Sequence, residues 1–136
     1  MVEGQPKTAR GVLVVEADAD LRLRIVEEIK AAGLGTAQAS NGDEAIGVLQ
    51  RRADIGLVFT AVNMSGSIDG LGLAVRIHRT RPDLAIVITS AMVNLRQSSL
   101  PRRCRFLRKP YEPGNAIKCF RLLLEMDAYD AAAAIV

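Results

Sequence analysis

Imidazole and thiol groups are scarce here: one histidine, His78, and two cysteines, Cys104 and Cys119, serve 136 residues. The cysteines show no C-x-x-C spacing and His78 is remote in sequence from both, which argues against a zinc site and a redox dithiol. Both cysteines are therefore expected as free thiols. No apolar run approaches the roughly 18 to 20 residues that cross a bilayer. The opening MVEGQPKTAR lacks the apolar core of a signal peptide. A cytoplasmic protein without membrane contact is the expectation. The loop after the first apolar run, EADAD, is acidic and has no glycine-rich cradle, so it would repel the phosphates of a flavin or nucleotide. A net charge of +3 is only a weak argument for a nucleic-acid partner. Internal repeats and linkers are missing, and an alanine run near the end is the sole low-complexity feature.

What is present is a globular composition, 49% hydrophobic and 24% charged, in a chain long enough for one domain. VLVV (Val12 to Val15) has no polar alternation, as in a central strand covered on both faces. Asp18 is placed to cap a helix in which Leu21, Ile25, Val26, Ile29 and Ala32 recur, ended by Gly33 and Gly35. A weak strand, Thr36 to Ala39, precedes the cap Asn41 and a short helix carrying Ala45, Ile46 and Leu49, with Asp43 and Glu44 in its first turn. DIGLVFTA is a third strand. Leu71, Ala74, Val75 and His78 then trace a helix that must end near Arg81-Pro82, because a residue before proline avoids helical geometry. LAIVITSA is a fourth strand and CRFL a brief fifth. Between them, Met92 to Arg103 leaves room for only a short helix around Ser98, Ser99 and Pro101. Pro113 opens a last helix with the stripe Ala116, Ile117, Phe120, Leu123 and Leu124.

Five strands alternating with five helical stretches predict an α/β fold: a parallel, doubly wound sheet with helices on both faces. The ordered core spans about 11–126, with terminal tails at 1–9 and 128–136. In such sheets ligands gather at the carboxyl ends of the strands. Those exits are Glu16, Ala17 and Asp18; Ala61 to Asn63; Ser90 and Ala91; and Lys109-Pro110.

The segments VLVVEADADLR, DIGLVFTAVNMSGSIDGL, RPDLAIVITSA and FLRKPYEP, in this order and at these distances, resemble a response-regulator receiver domain of two-component signalling. The resemblance covers about Gly11 to Met126. It implies a flavodoxin-like strand order 2-1-3-4-5 and a signalling rather than an enzymatic role. In that family a carboxylate ending the third strand accepts a phosphoryl group, with a divalent cation held partly by an acidic pair after the first strand. The matching phosphoacceptor position here is Ala61. Glu16 matches the first member of the acidic pair, and Ala17 stands where the second would be. A methyl group neither accepts a phosphoryl group nor ligates Mg2+, so phosphorylation-independent action is expected, with Mg2+ weakly bound or not bound. Ser65 replaces the usual proline of the following loop. Departures at Ala17, Ala61 and Ser65 together favour divergence over one engineered change.

Other matches persist. The resemblance gives Asn63 a main-chain carbonyl role toward the metal, Ser90 the hydroxyl that contacts phosphoryl oxygens, Lys109 the phosphate-pairing lysine before a cis proline, and Phe106 the place of a rotating aromatic. Plainer roles stand beside these: Lys109 as a structural partner of Glu16, Ser90 closing a helix cap, His78 as a helix side chain. The alternative is a working phosphoacceptor that uses Asp18 or Asp69 with Mg2+. Arg96, Arg102, Arg103, Arg105, Arg108 and Lys109 form a basic run without an intervening acid. By resemblance it falls on the surface of the fourth helix, fifth strand and fifth helix, which meets protein partners, a homodimer included. DNA is disfavoured, since no recognition helix accompanies the run. The motif style is most similar to receivers appended to sensor kinases, which leaves room for a longer parent protein.

Overall fold

The computed structural model describes residues 10–62, 68–91, 100 and 103–125. Its elements are β1 (Gly11–Val15), α1 (Ala19–Ala31), β2 (Thr36–Ala39), α2 (Gly42–Arg51), β3 (Ile55–Ala61), α3 (Gly70–Thr80), β4 (Ala85–Ser90), β5 (Cys104–Arg108) and α4 (Pro113–Glu125). The strands form one parallel sheet in the order β2-β1-β3-β4-β5, the doubly wound arrangement expected.

Apolar runs without alternation are buried on both sides, and each side gathers its own core. Val12, Val14, Leu57, Phe59 and Val87 meet Ile25 and Ile29 of α1 and Phe120 and Leu123 of α4 on one face. Leu13, Val15, Val58, Ile86 and Ile88 meet Ala45 of α2 and Leu73 and Ile77 of α3 on the other. Helix starts follow the local chemistry. Asp18 Oδ1 accepts the Leu21 N–H at 3.1 Å, and Asn41 Oδ1 accepts the Glu44 N–H at 2.9 Å. Glu44 reaches back in turn to accept the N–H of Ser40, the residue before the cap, at 2.7 Å.

Two expectations are corrected. α3 buries Leu73, Ala74 and Ile77, while Val75 is 43% exposed and Leu71 only half-buried; His78 is half-buried, as expected of a helix side chain. The apolar stripe read from the sequence was rotated by a residue or two, because LGLAV offers apolar side chains all round its first turn. Arg103 does not belong to a basic surface: it is 6% exposed. Its Nη1 donates to Asp83 O and its Nη2 to Leu123 O, each at 2.6 Å. The guanidinium joins the segment before β4 to the last turn of α4, where the Leu123 carbonyl has no partner within the helix. Asn63, Ser65, Arg96, Arg102 and the tail after Glu125 lie outside the described residues, as does the helix expected between Met92 and Arg103 apart from Leu100 and Arg103.

Candidate functional site

Strand register brings the carboxyl ends together. Val15 pairs with Thr60, Ala61 with Thr89, and Ser90 with Arg108, so Glu16, Ala61, Ser90 and Lys109 meet along one edge of the sheet. Backbone bonds continue the ladder past the strands: Glu16 N–H donates to Ala39 O at 3.0 Å, Val62 N–H to Thr89 O at 3.0 Å, and Lys109 N–H to Ser90 O at 3.2 Å. The Lys109-Pro110 peptide is cis, as the resemblance implied.

At the centre of this edge stands a methyl group. Ala61 is 6% exposed and borders a cavity of about 10 Å³ also lined by Glu16, Arg22, Phe59, Thr89 and Tyr111. A space of that size admits one water at most. Beside it, Lys109 Nζ lies 3.5 Å from Glu16 Oε1, with the two side chains 25% and 15% exposed. The other oxygen, Oε2, accepts the Asp18 N–H at 3.1 Å. The Glu16 carboxylate is thus turned toward its own loop and the lysine. Partial burial leaves such a pair less screened by salt than a fully solvated one, while each charge bears a desolvation cost.

Two further residues shape the site that pattern reading passed over. Arg22, one turn into α1, donates from Nη1 to Glu16 O at 2.6 Å and from Nε to Gln38 Oε1 at 3.1 Å. It therefore ties the ends of β1 and β2 together with a cation. Tyr111 packs edge-on to Phe59 at 5.6 Å between ring centroids, and burial together with the nearby Glu16 charge pushes its phenol up to about 12. The available signals were small: Arg22 lies four residues beyond the cap Asp18, and Tyr111 two beyond Lys109. Of the remaining candidates, Ser90 is buried and Phe106 is half-buried on β5. Ala17, Asp18 and Asp69 are exposed. Asp69 Oδ1 accepts the Gly72 N–H at 2.7 Å, so both Asp18 and Asp69 serve as helix caps. Arg105 donates to Cys104 O at 3.0 Å and stays half-exposed, and Arg108 is exposed.

Burial also raises the Cys104 thiol to about 12. For both Cys104 and Tyr111 the folded value lies above the ordinary 9.0 and 10.0, so the folded state holds a proton that the unfolded chain releases. The stabilisation they provide is complete below about pH 8 and is lost as pH climbs toward 12. The urea midpoint is accordingly expected to hold between about pH 7 and pH 8 and to fall steadily from there to about pH 11. A midpoint unchanged across the alkaline range would contradict this assignment.

Residues 12–121 match the sequence model of the response regulator receiver domain. None of the curated proteins compared matches the chain. Among solved structures, the receiver domain of NtrX from Brucella abortus is 30% identical with a TM-score of 0.76, over 85% of this chain and 98% of that one. A response regulator receiver protein from Sinorhizobium medicae WSM419 is 26% identical with a TM-score of 0.77, over 85% and 94%. The signal receiver domain of a histidine kinase from Syntrophus aciditrophicus shares the fold, with a TM-score of 0.73 at 18% identity over 85% and 90%. Against the longer NtrX structure, in complex with ATP, this chain spans 27% of the length. Among the described residues, no helix is long and apolar enough to cross a membrane. A five-stranded parallel sheet in this order, the strand-exit edge, and a family match over most of the sequence lead to one identification: the chain belongs to the response regulator receiver domains of two-component signalling.

Proposed function

We propose that this receiver domain signals without being phosphorylated, as a protein-interaction module. The observation that carries the reading is the pairing of a methyl group at Ala61 with a lysine, Lys109, already directed at Glu16 at 3.5 Å. In a two-state scaffold a fixed internal ion pair holds one arrangement without a covalent mark. Glu16 thereby supplies the negative partner that a phosphoryl group would otherwise give Lys109.

The donor set does not suit Mg2+, which needs several hard oxygen ligands in near-octahedral geometry. Ala17 and Ala61 offer no side-chain oxygen, and the Glu16 carboxylate is committed to Lys109 and the Asp18 N–H. Mg2+ is proposed to bind weakly or not at all. The capping roles of Asp18 and Asp69 support the same reading, because each carboxylate already satisfies a helix N–H. Partner recognition is assigned to the β5 side, where the exposed part of the basic run carries Arg105 and Arg108, in the cytoplasm and toward a protein rather than nucleic acid. A homodimer through this face is one form it takes.

Incubation with acetyl phosphate and Mg2+ followed by intact mass tests the proposal. The wild-type chain is expected to gain no phosphoryl mass, and an Ala17→Asp/Ala61→Asp variant to gain one. A phosphoryl adduct on the wild type that disappears in Asp18→Asn or Asp69→Asn would establish the substitute-carboxylate mechanism instead.

A further inference from the structure

We infer that a second copy of this chain docks its α1 helix into the groove between α2 and α3. The groove encloses about 380 Å³. Ile46, Leu49 and Ile77 supply its apolar lining, and Gln50, Arg76, Thr80 and Arg81 its polar lining. α2 is underpacked for an amphipathic helix: the residues it buries fully are Gly42 and Ala45, while Ile46, Val48 and Leu49 stay half-buried. Covering them removes apolar area from water, the main favourable term in association. Arg81 shares its guanidinium with Asp83 at 3.1 Å, which leaves Arg76 as the principal cation of the rim.

The complementary feature lies on α1. Leu23 is 49% exposed, and on its ridge Asp20 lies three residues before it and Glu27 four residues after. An apolar tip between two carboxylates matches an apolar trough beside a guanidinium. Arg24 adjoins Leu23 in sequence but lies off that ridge, and exposed Lys30 follows on it one turn beyond Glu27, leaving the two carboxylates nearest the leucine. The two surfaces are on opposite faces of the sheet, since α1 packs on one core and α2 and α3 on the other. A twofold axis cannot therefore make both contacts within one dimer. The contact is heterologous; repeating it closes a ring or extends an open row according to the rotation between copies, and the inferred assembly is the open row. This surface is distinct from the basic β5 side and from Lys109, so the inference goes beyond the proposed function.

Sedimentation velocity on the full chain from about 10 μM to about 1 mM tests it, a range suited to a small contact. The wild-type sedimentation coefficient is expected to rise continuously with concentration and to fall back at high salt. Leu23→Asp and Arg76→Glu are each expected to weaken association by about tenfold or more. Both positions are exposed, and an unchanged urea midpoint shows that each variant is folded. An equimolar mixture of the two is expected to stop at a heterodimer, because one variant keeps the groove and the other keeps the knob. Three results would overturn the inference: a wild type monomeric throughout, association undiminished in both single variants, or a mixture of the two that associates no more strongly than either variant alone.

Discussion

Arg103→Ala is expected to lower the unfolding free energy by about 3 kcal/mol, read from urea denaturation, and the melting temperature by about 10 °C. The guanidinium makes two short bonds of 2.6 Å to main-chain carbonyls, one at Asp83 before β4 and one at Leu123 near the end of α4. Truncation leaves the buried Leu123 carbonyl and the part-buried Asp83 carbonyl without this donor, and bonds from a charged donor contribute about 1.5 to 3 kcal/mol each. The backbone adds a second, separable effect. Arg103 has φ 67°, a left-handed conformation that costs an ordinary residue about 1 kcal/mol. Arg103→Gly loses the same two bonds but relieves that cost, so it should be more stable than Arg103→Ala by about 1 kcal/mol. Glycine exceeding alanine reverses the usual order in regular structure. If alanine is the more stable of the two, the backbone part of the account is wrong.

Gly70→Ala is the second large effect, expected to destabilise the domain by about 3 kcal/mol. A Cβ at this position would overlap Ala61 O and come within 2.8 Å of Ala61 C and 2.9 Å of Val62 Cα. These are backbone atoms of a buried strand end, so no side-chain rotation relieves the contact. The close approach has its own purpose, since Gly70 N–H donates to Val62 O at 2.8 Å and sets the first turn of α3 against the end of β3. Substitution therefore disturbs the neighbourhood of Ala61 as well as global stability. Gly114→Ala provides the control. Nothing lies within 4 Å of the added carbon in α4, and alanine there should stabilise by about 0.5 kcal/mol. Equal midpoints for the two variants would show that packing against β3 is not what requires glycine.

Arg103 joins segments 20 residues away on either side and Gly70 meets the strand end eight and nine residues before it, and the sequence gives no periodic signal for either. In Pro101-Arg102-Arg103-Cys104-Arg105 nothing in the sequence singles out the central arginine from the other two. Its burial follows from where β4 begins and α4 ends, 20 residues away on either side. The buried face of α3 departs in part from its sequence pattern for a related reason. Where apolar residues surround a turn of helix, the core selects among them, and here it selected Leu73, Ala74 and Ile77.

What the sequence determined by itself is the succession of strands and helices, the caps at Asp18 and Asn41, and the strand exits where function is to be sought. Those features depend on hydrogen bonds and apolar spacing within a few residues, which a linear pattern records directly. It also showed that Ala61 has no reactive atom, a fact of covalent structure that folding cannot alter. Only the tertiary structure decided that Lys109 lies 3.5 Å from Glu16, that Arg22 closes over the same loop, and that Arg103 is buried. Each of these is an electrostatic choice among several possible partners. Such choices are settled by distance and burial across the sheet, after the strands have set their register.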